Sequence, residues 1–573
     1  MKRIYLVPGV LAVAALAACG GGDINIEPST NVSNSNNTTQ TGGGNANDVC
    51  ASYTNSGGQT ISGTFDGTNC TYSPAFADAG NNLTVDLTIP ALATGGAHIF
   101  EGSLFVGETF DTDADLAAAG LAEGGDGPVL TIEAGATLAW QSSQNFLIVN
   151  RGSQMFAVGR ADAPITFTST TDLDLTGQNP GPGNGTVGPE DVQQWGGMVI
   201  NGFGITNRCA YTGTLAGGDL ATTDCHVDAE GAAGLDESQY GGDVVDDSSG
   251  RLEYVVVKHT GATVGNGDEL NGISFGGVGS NTVVNNLQVY STFDDGIEMF
   301  GGSFDINNFV AIYVRDDSID IDEGYNGTIT NALVIQNATD GNHCIEADGI
   351  GGFSGLTAQA VEDIIAQGIN SAPTIENLTC IISPNGAATA THDPGAGWRL
   401  REGIFPTIRD SQIISFNSAA DTTSGNDNYC LRIDNRSQQA ALDGDLVLEN
   451  IVYACEEQTR GQTFPDGTTT ELSFATAVTT DPMTMTDTIA GVFATLAGAT
   501  DPTAAADTDL QLLEGTPPYF SIEANAISVD GANPGLTPAT TYIGGIALSI
   551  TDWTTGWVYG LQDPDRGTPL WFE

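Results

Sequence analysis

The chain has 573 residues, 76 of them glycine, and 15 basic against 71 acidic side chains give it a formal net charge of −56. A phosphate backbone needs a basic stripe, so this balance excludes a nucleic-acid binder, and it argues against docking on anionic headgroups through basic residues. A hydrophobic fraction of 40% is too high for a disordered acidic chain, and the length exceeds one ordinary globular domain unless that domain is a repeat or a large all-β body.

The chain opens with Met1-Lys2-Arg3 and an apolar stretch from Ile4 to Ala15, an export signal too short to span and stay in a membrane. Residues 1–18 are followed by Cys19, and Leu16-Ala17-Ala18-Cys19 resembles the lipobox of bacterial lipoproteins. That resemblance implies cleavage before Cys19 and acylation of the cysteine. Gly20 follows where Asp would suggest inner-membrane retention, so it further implies an outer-membrane anchor, on the periplasmic face or at the cell surface. An ordinary secretory signal is the alternative. Cleavage removes Lys2, Arg3 and no acid, taking the net charge from −56 to −58.

Residues 19–47, rich in Gly, Asn, Ser and Thr, read as a flexible tether. Nine cysteines less the lipidated one leave eight, an even number suited to an oxidising compartment. Spacing favours the local pairs Cys50–Cys70, Cys209–Cys225, Cys344–Cys380 and Cys430–Cys455, although it does not by itself exclude other connectivities. No C-x-x-C spacing suggests a metal thiolate.

Residues 48–127 contain short strand-like runs and are expected to form an N-terminal cap. Between 128 and 457 the chain becomes periodic. Asn285-Asn286-Leu287, Asp294-Asp295-Gly296-Ile297-Glu298 and Gly302 return 22 residues later as Asn307-Asn308-Phe309, Asp316-Asp317-Ser318-Ile319-Asp320 and Gly324. A looser copy holds Asn331, Asp340-Gly341 and Ile345-Glu346-Ala347-Asp348. Short strands, Gly/Asn/Asp turns and this period predict an all-β fold, a right-handed parallel β-helix. Ile297, Ile319 and Ile345 then stack in the core, while Asn286, Asn308 and Asn331 stack at a turn where Asn tolerates a left-handed backbone. A hairpin meander would need regular short turn spacing, which is missing. Insertions are expected at 209–250 and at 354–368, the latter a short helix capped by Ser354. Residues 458–573 lose the period and are expected to cap the open end of the helix, with 486–498 helical.

Trp195-Gly196-Gly197-Met198-Val199-Ile200-Asn201-Gly202, the Asp-Asp-Gly-Ile coil, Tyr542-Ile543-Gly544-Gly545 and Trp553-Thr554-Thr555-Gly556-Trp557 carry a resemblance. With these motifs, residues 128–573 resemble a family of β-helical, pectate-lyase-like bacterial envelope lipoproteins, mostly of uncharacterised function. The resemblance implies fold and location. It also hints at a role beside TonB-dependent receptors in uptake.

Chemistry concentrates in an acidic ladder. Aligned coils stack Asp295 on Asp317, and Glu298 on Asp320 and Glu346, with Asp294 and Asp316 beside them. Stacked carboxylates repel unless a cation lies between them, and hard oxygen ligands in irregular array suit calcium. A solvated acidic face is the plainer alternative. A competing class is a polysaccharide lyase or glycoside hydrolase on the same fold, with Asp295, Asp317, Arg399 and Arg401 as its catalytic candidates. The Ser-His-Gly and Arg-Ile-Lys companions of polygalacturonases are absent, and Arg399 and Arg401 could simply pair with the acidic surface. The mature chain has one lysine, Lys258, beside His259. The histidines show no metal spacing, and His343 reads as a turn residue. The leading expectation is a non-catalytic, calcium-stabilised β-helix on a membrane anchor, binding a glycan, a protein or an outer-membrane receptor.

Overall fold

The structure, a computed structural model, describes residues 49–121, 125–175, 182–229, 238–264, 268–383, 385, 393–415 and 429–454, with short pieces beyond, the longest being 542–546 and 552–562. Strands stack in parallel into two long sheets. One runs through Gly250–Lys258, Val283–Tyr290, Asp305–Ile312, Thr328–Ile335, Thr374–Ile382, Thr407–Ser415 and Val447–Ala454. The other runs through Met198–Asn201, Ile273–Gly276, Ile297–Phe300, Ile319–Asp322, His343–Asp348, Ala396–Arg401 and Tyr429–Ile433. The chain alternates between them, so each coil adds one strand to each sheet. This is the parallel β-helix that the period predicts.

Two features of the repeat set the coil. Ile273, Ile297 and Ile319 pair in register, Ile345 follows in the next strand, and all four are fully buried. The residue before this isoleucine must be small, because a Cβ on Gly296 would lie 2.5 Å from Ser318 O in the next coil. In the long strands the bend residue is left-handed, with φ of 56° at Asn286, 64° at Asn308 and 58° at Asn331. There Asn308 Nδ2 donates to Asn286 Oδ1 at 3.0 Å and Asn331 Nδ2 to Asn308 Oδ1 at 3.1 Å. Asparagine suits the site because it accepts positive φ and its amide carries both a donor and an acceptor up the stack.

Disulfides join Cys50–Cys70, Cys209–Cys225 and Cys344–Cys380. Cys344 and Cys380 belong to different sheets, so their bond crosses the interior. Cys430 is also disulfide-bonded, while Cys455 lies outside the described residues.

The structure corrects three boundaries. Parallel stacking already begins at Cys70–Tyr72 on His98–Phe100, inside the stretch 48–127, so most of that stretch extends the helix rather than forming a separate cap. The helix in the 354–368 insertion is Ala358–Gln367, capped by Thr357, whose side chain accepts from Ala360 N; Ser354 lies in a preceding 3₁₀ turn. Glu457–Thr459 adds the last strand of the short-strand sheet beside Tyr429–Ile433, and the described residues from 542 on lie along the side of the β-helix rather than over its open end. Ile546, Trp557, Val558, Leu561 and Leu570 pack with Val310, Ile312, Leu333 and Ile335, the outward residues of the long-strand sheet. Gly545 N donates to Thr379 Oγ1 at 2.9 Å, and Tyr559 exchanges two hydrogen bonds with the Gln288 side chain. Gly545 permits this approach, since a Cβ there would be 2.2 Å from Ala332 O. Residues 486–498 lie outside the described residues.

Candidate functional site

On the short-strand sheet one outward row can be followed coil by coil: Phe105, Ile148, Val199, Ser274, Glu298, Asp320, Glu346, Arg399 and Arg432. Its character changes along the axis from apolar to acidic to basic. The apolar part is covered, because Phe105, Ile148 and Val199 pack with Ala229 and Tyr240 from the 209–250 insertion. Tyr240 lies directly over Gly276, where a Cβ would be 2.6 Å from its ring. Phe300, Asp322, Asp348 and Arg401 form the row beside it. The face therefore opens at Phe300 and Glu298 and ends among the arginines.

A third row lies at the entry to each strand. Asp295 N donates to Asn271 Oδ1 at 3.1 Å, Asp317 N to Asp295 Oδ1 at 2.9 Å, and His343 N to Asp317 Oδ1 at 2.6 Å. Each side chain thus caps the backbone of the coil above, which gives the Asp-Gly-Ile repeat a structural task as well as a charge. Asp316 accepts from Asn342 Nδ2.

These rows bring the acids named from the sequence into three groups whose ligand atoms lie within 4.8 Å of one another: Asp294, Asp295 and Asp316; Asp295, Glu298 and Asp320; Asp317, His343 and Glu346. Burial raises Asp295 well above the ordinary carboxylate range, and the charges of Asp320, Asp317, Asp294 and Glu298 raise it further. Asp320 is raised by burial, then by Asp322, Asp317, Glu346 and Asp348. The charged neighbours acting most strongly on both are all acids. Asp317 is also raised by burial and by Glu346, but Arg401 and Arg399 oppose the effect.

The groups therefore differ in what they fit. Asp295, Glu298 and Asp320 offer only oxygen, in the irregular array that calcium accepts. The Asp317 group is already neutralised and engaged. Arg399 Nη1 lies 3.0 Å and Arg401 Nη2 2.6 Å from the Glu346 carboxylate. His343 Nδ1 lies 2.8 Å from Asp317 Oδ1, and His343 Nε2 2.9 Å from Tyr429 Oη. Burial lowers His343 to about 4, so the ring is neutral, donating from Nδ1 to Asp317 and accepting from Tyr429.

Arg399 also reaches Asp434 at 3.4 Å, and Arg401 bonds Asp348. Both are ion-paired, as the plainer sequence reading has it. His343 is a site residue that sequence reasoning missed. It stands two residues before Ile345, as Asp295 stands before Ile297 and Asp317 before Ile319, and that count was the available signal. Lys258 is on the other sheet, fully buried against Asp172, so it does not serve this groove as a base.

Fold and groove together define a parallel β-helical protein with a carboxylate face that runs into an arginine cluster. Residues 110–492 match the pectate-lyase like beta helix domain, and the chain belongs to that family. Among solved structures, the crystal structure of Dettilon tailspike protein is similar at 10% identity and a TM-score of 0.20. The likeness covers 67% of this chain and 61% of that one, so the chain spans about three fifths of that relative's length. None of the curated proteins matches.

Proposed function

We propose that this protein is a carbohydrate-binding β-helix, held at the outer membrane through an acylated Cys19. Calcium at Asp295, Glu298 and Asp320 stabilises its open face. The observation that carries this reading is the all-oxygen cluster of Asp295, Glu298 and Asp320 beside the partly exposed Phe300 and Asp322, where an aromatic edge and a carboxylate acceptor suit sugar rings and hydroxyls. The bound ion would supply a positive centre for ligand oxygens; the chain's own residues hold it and shape the groove. Binding to a glycan array with calcium, lost in EDTA and in Asp320→Asn, is the expected result. Calorimetry that detects no calcium binding to the chelator-treated protein would sink the metal assignment.

The anchor has its own test: a labelled fatty acid should be incorporated into the parent and not into Cys19→Ala. An uptake role beside a TonB-dependent receptor predicts a stoichiometric receptor in affinity purification from native membranes.

A second reading, a glycan-cleaving enzyme, is favoured by one observation. Asp295 and Asp317 are both raised by burial, the Asp317 backbone amide donates to Asp295 Oδ1 and the Asp317 carboxyl bonds His343, an arrangement that could keep one carboxyl protonated as an acid. Shortening of oligosaccharides that disappears in Asp317→Asn would establish it. Unchanged chain lengths after long incubation with calcium would exclude it.

A further inference from the structure

The mature chain's one lysine is the least expected residue to find inside it. Lys258 ends the strand Gly250–Lys258 and is 0% exposed, as is Asp172, in the turn that follows the adjacent strand Ile165–Ser169. Lys258 Nζ lies 2.9 Å from Asp172 Oδ1 and 2.8 Å from Oδ2, so the carboxyl carbon stands between two oxygens already in contact with the amine. The Tyr559 ring from the tail covers Nζ at 3.5 Å. Thr168 Oγ1 donates to Asp172 Oδ2 at 2.8 Å, and Gly183 N to Oδ1 at 3.1 Å.

His259 completes the group. Its Nδ1 is 2.7 Å from Asp191 O, and since a carbonyl only accepts, Nδ1 carries the hydrogen. Nε2 is the nitrogen left to face Asp172, 3.5 Å from its Oδ1. An amine, a carboxyl, two donors on its oxygens and a basic nitrogen beside one of them are thus enclosed together in a site closed by an aromatic ring.

We infer that Lys258 and Asp172 condense to an intramolecular amide that covalently joins neighbouring coils. The ammonium first gives a proton to Asp172 Oδ1, leaving a neutral amine and a carboxylic acid; this is a minor state, because the effect of burial is outweighed by His259 and Lys258, which hold the resting carboxyl below its ordinary range. Nζ then attacks the carboxyl carbon, while Thr168 and Gly183 hold the charge that develops on the oxygens. His259 Nε2 takes a second proton from Nζ and delivers it to the Oδ1 hydroxyl. The C–Oδ1 bond breaks and one water leaves. Of the three ammonium hydrogens, two depart in the water and one stays on the amide nitrogen. No oxidant or cofactor takes part. Oδ2 remains as the amide oxygen, still bonded to Thr168, and the site no longer holds a buried ion pair. This inference does not depend on the proposed glycan or calcium site.

The test is tryptic mapping of the full-length protein by tandem mass spectrometry. Cleavage at Arg160, Arg208, Arg251 and Arg315 should release segments 161–208 and 252–315 as one branched species lighter by one water, with no cut after Lys258. Lys258→Arg keeps the charge and should give 161–208 at full mass, with the partner segment cut after residue 258 into 252–258 and 259–315. His259→Gln should form the branched species on the order of 100-fold more slowly. Peptides ending at Lys258 in the parent would overturn the inference. So would a missing water that maps to an aspartyl succinimide, as at Asp295-Gly296, or persists in Lys258→Arg. A His259→Gln protein that links as fast as the parent overturns the assigned route.

Discussion

Asp295, Asp317, Asp320 and Asp322 are all raised well above the ordinary acid range by burial and by one another, and Asp316 is pushed up to about 7 by burial and Asp317. An unfolded chain would release the same protons near pH ~4. Between ~4 and ~7 the native state therefore binds more protons than the unfolded one, and stability falls as pH rises through that window. Calcium replaces those protons as the compensating charge. In EDTA the melting temperature should be higher at pH 5 than at pH 8, and calcium should raise it far more at pH 8. Equal melting at the two values, or an equal calcium effect at both, would show that the cluster carries no such linkage. Asp320→Asn removes one of the repelling charges, so in EDTA at pH 8 it should stabilise the chain by roughly 1–2 kcal/mol, a pKa unit or so of relieved interaction. The acids themselves were plain in the sequence, because they recur beside the same isoleucine. Which of them carry a compensating cation was not, since Arg399 and Arg401 reach Glu346 only through a register 53 and 55 residues apart.

At the scale of one coil, legibility follows regularity. Glu298 to Asp320 is 22 residues, and the Asn stack, the core isoleucines and the acid rows could be counted from it. Asp320 to Glu346 is 26, and the longer loop breaks a fixed count, which is how His343 came to be read as a turn residue. The Asn stack invites a direct test. Asn308→Ala places a Cβ-bearing residue without a local partner at φ 64° and removes both ladder bonds. The cost should be roughly 3–4 kcal/mol, about 1–2 from the left-handed backbone and about 1 for each of the two lost bonds. Asn308→Gly relieves the backbone part alone and should cost about half as much. Urea unfolding separates the two, and a glycine variant as stable as the parent would mean that the side-chain ladder contributes nothing. Removing the Cys344–Cys380 bond by Cys344→Ala with Cys380→Ala should cost roughly 2–4 kcal/mol on the same measurement.

Across the whole molecule, the tail shows where pattern reading stopped short. Loss of the period after 457 suggested a cap, yet Phe309-Val310-Ala311-Ile312 and Leu333-Val334-Ile335 are continuous apolar runs, the mark of strands covered on both faces. Something had to lie over them, and Ile546, Trp557 and Leu561 do. The terminal Tyr-Ile-Gly-Gly and Trp-Thr-Thr-Gly-Trp motifs are accordingly docking elements: Gly545 allows close approach, Trp553 Nε1 bonds Gly545 O at 3.0 Å, and Trp557 fills the apolar face. A chain ending at residue 541 should keep its coils, because their cores and ladders are formed without the tail. It should also expose Val310, Ile312, Leu333, Ile335, Ile381 and Ile414, each worth roughly 2 kcal/mol when covered. Such a surface row would bind an apolar dye and drive association. The expected result is a β-rich circular dichroism spectrum like the parent's, strong dye fluorescence and a concentration-dependent increase in size by light scattering. Restoring residues 542–573 as a separate peptide should quench the dye. A truncated protein that stays monomeric and dark would mean that the long-strand face is covered by something other than the tail.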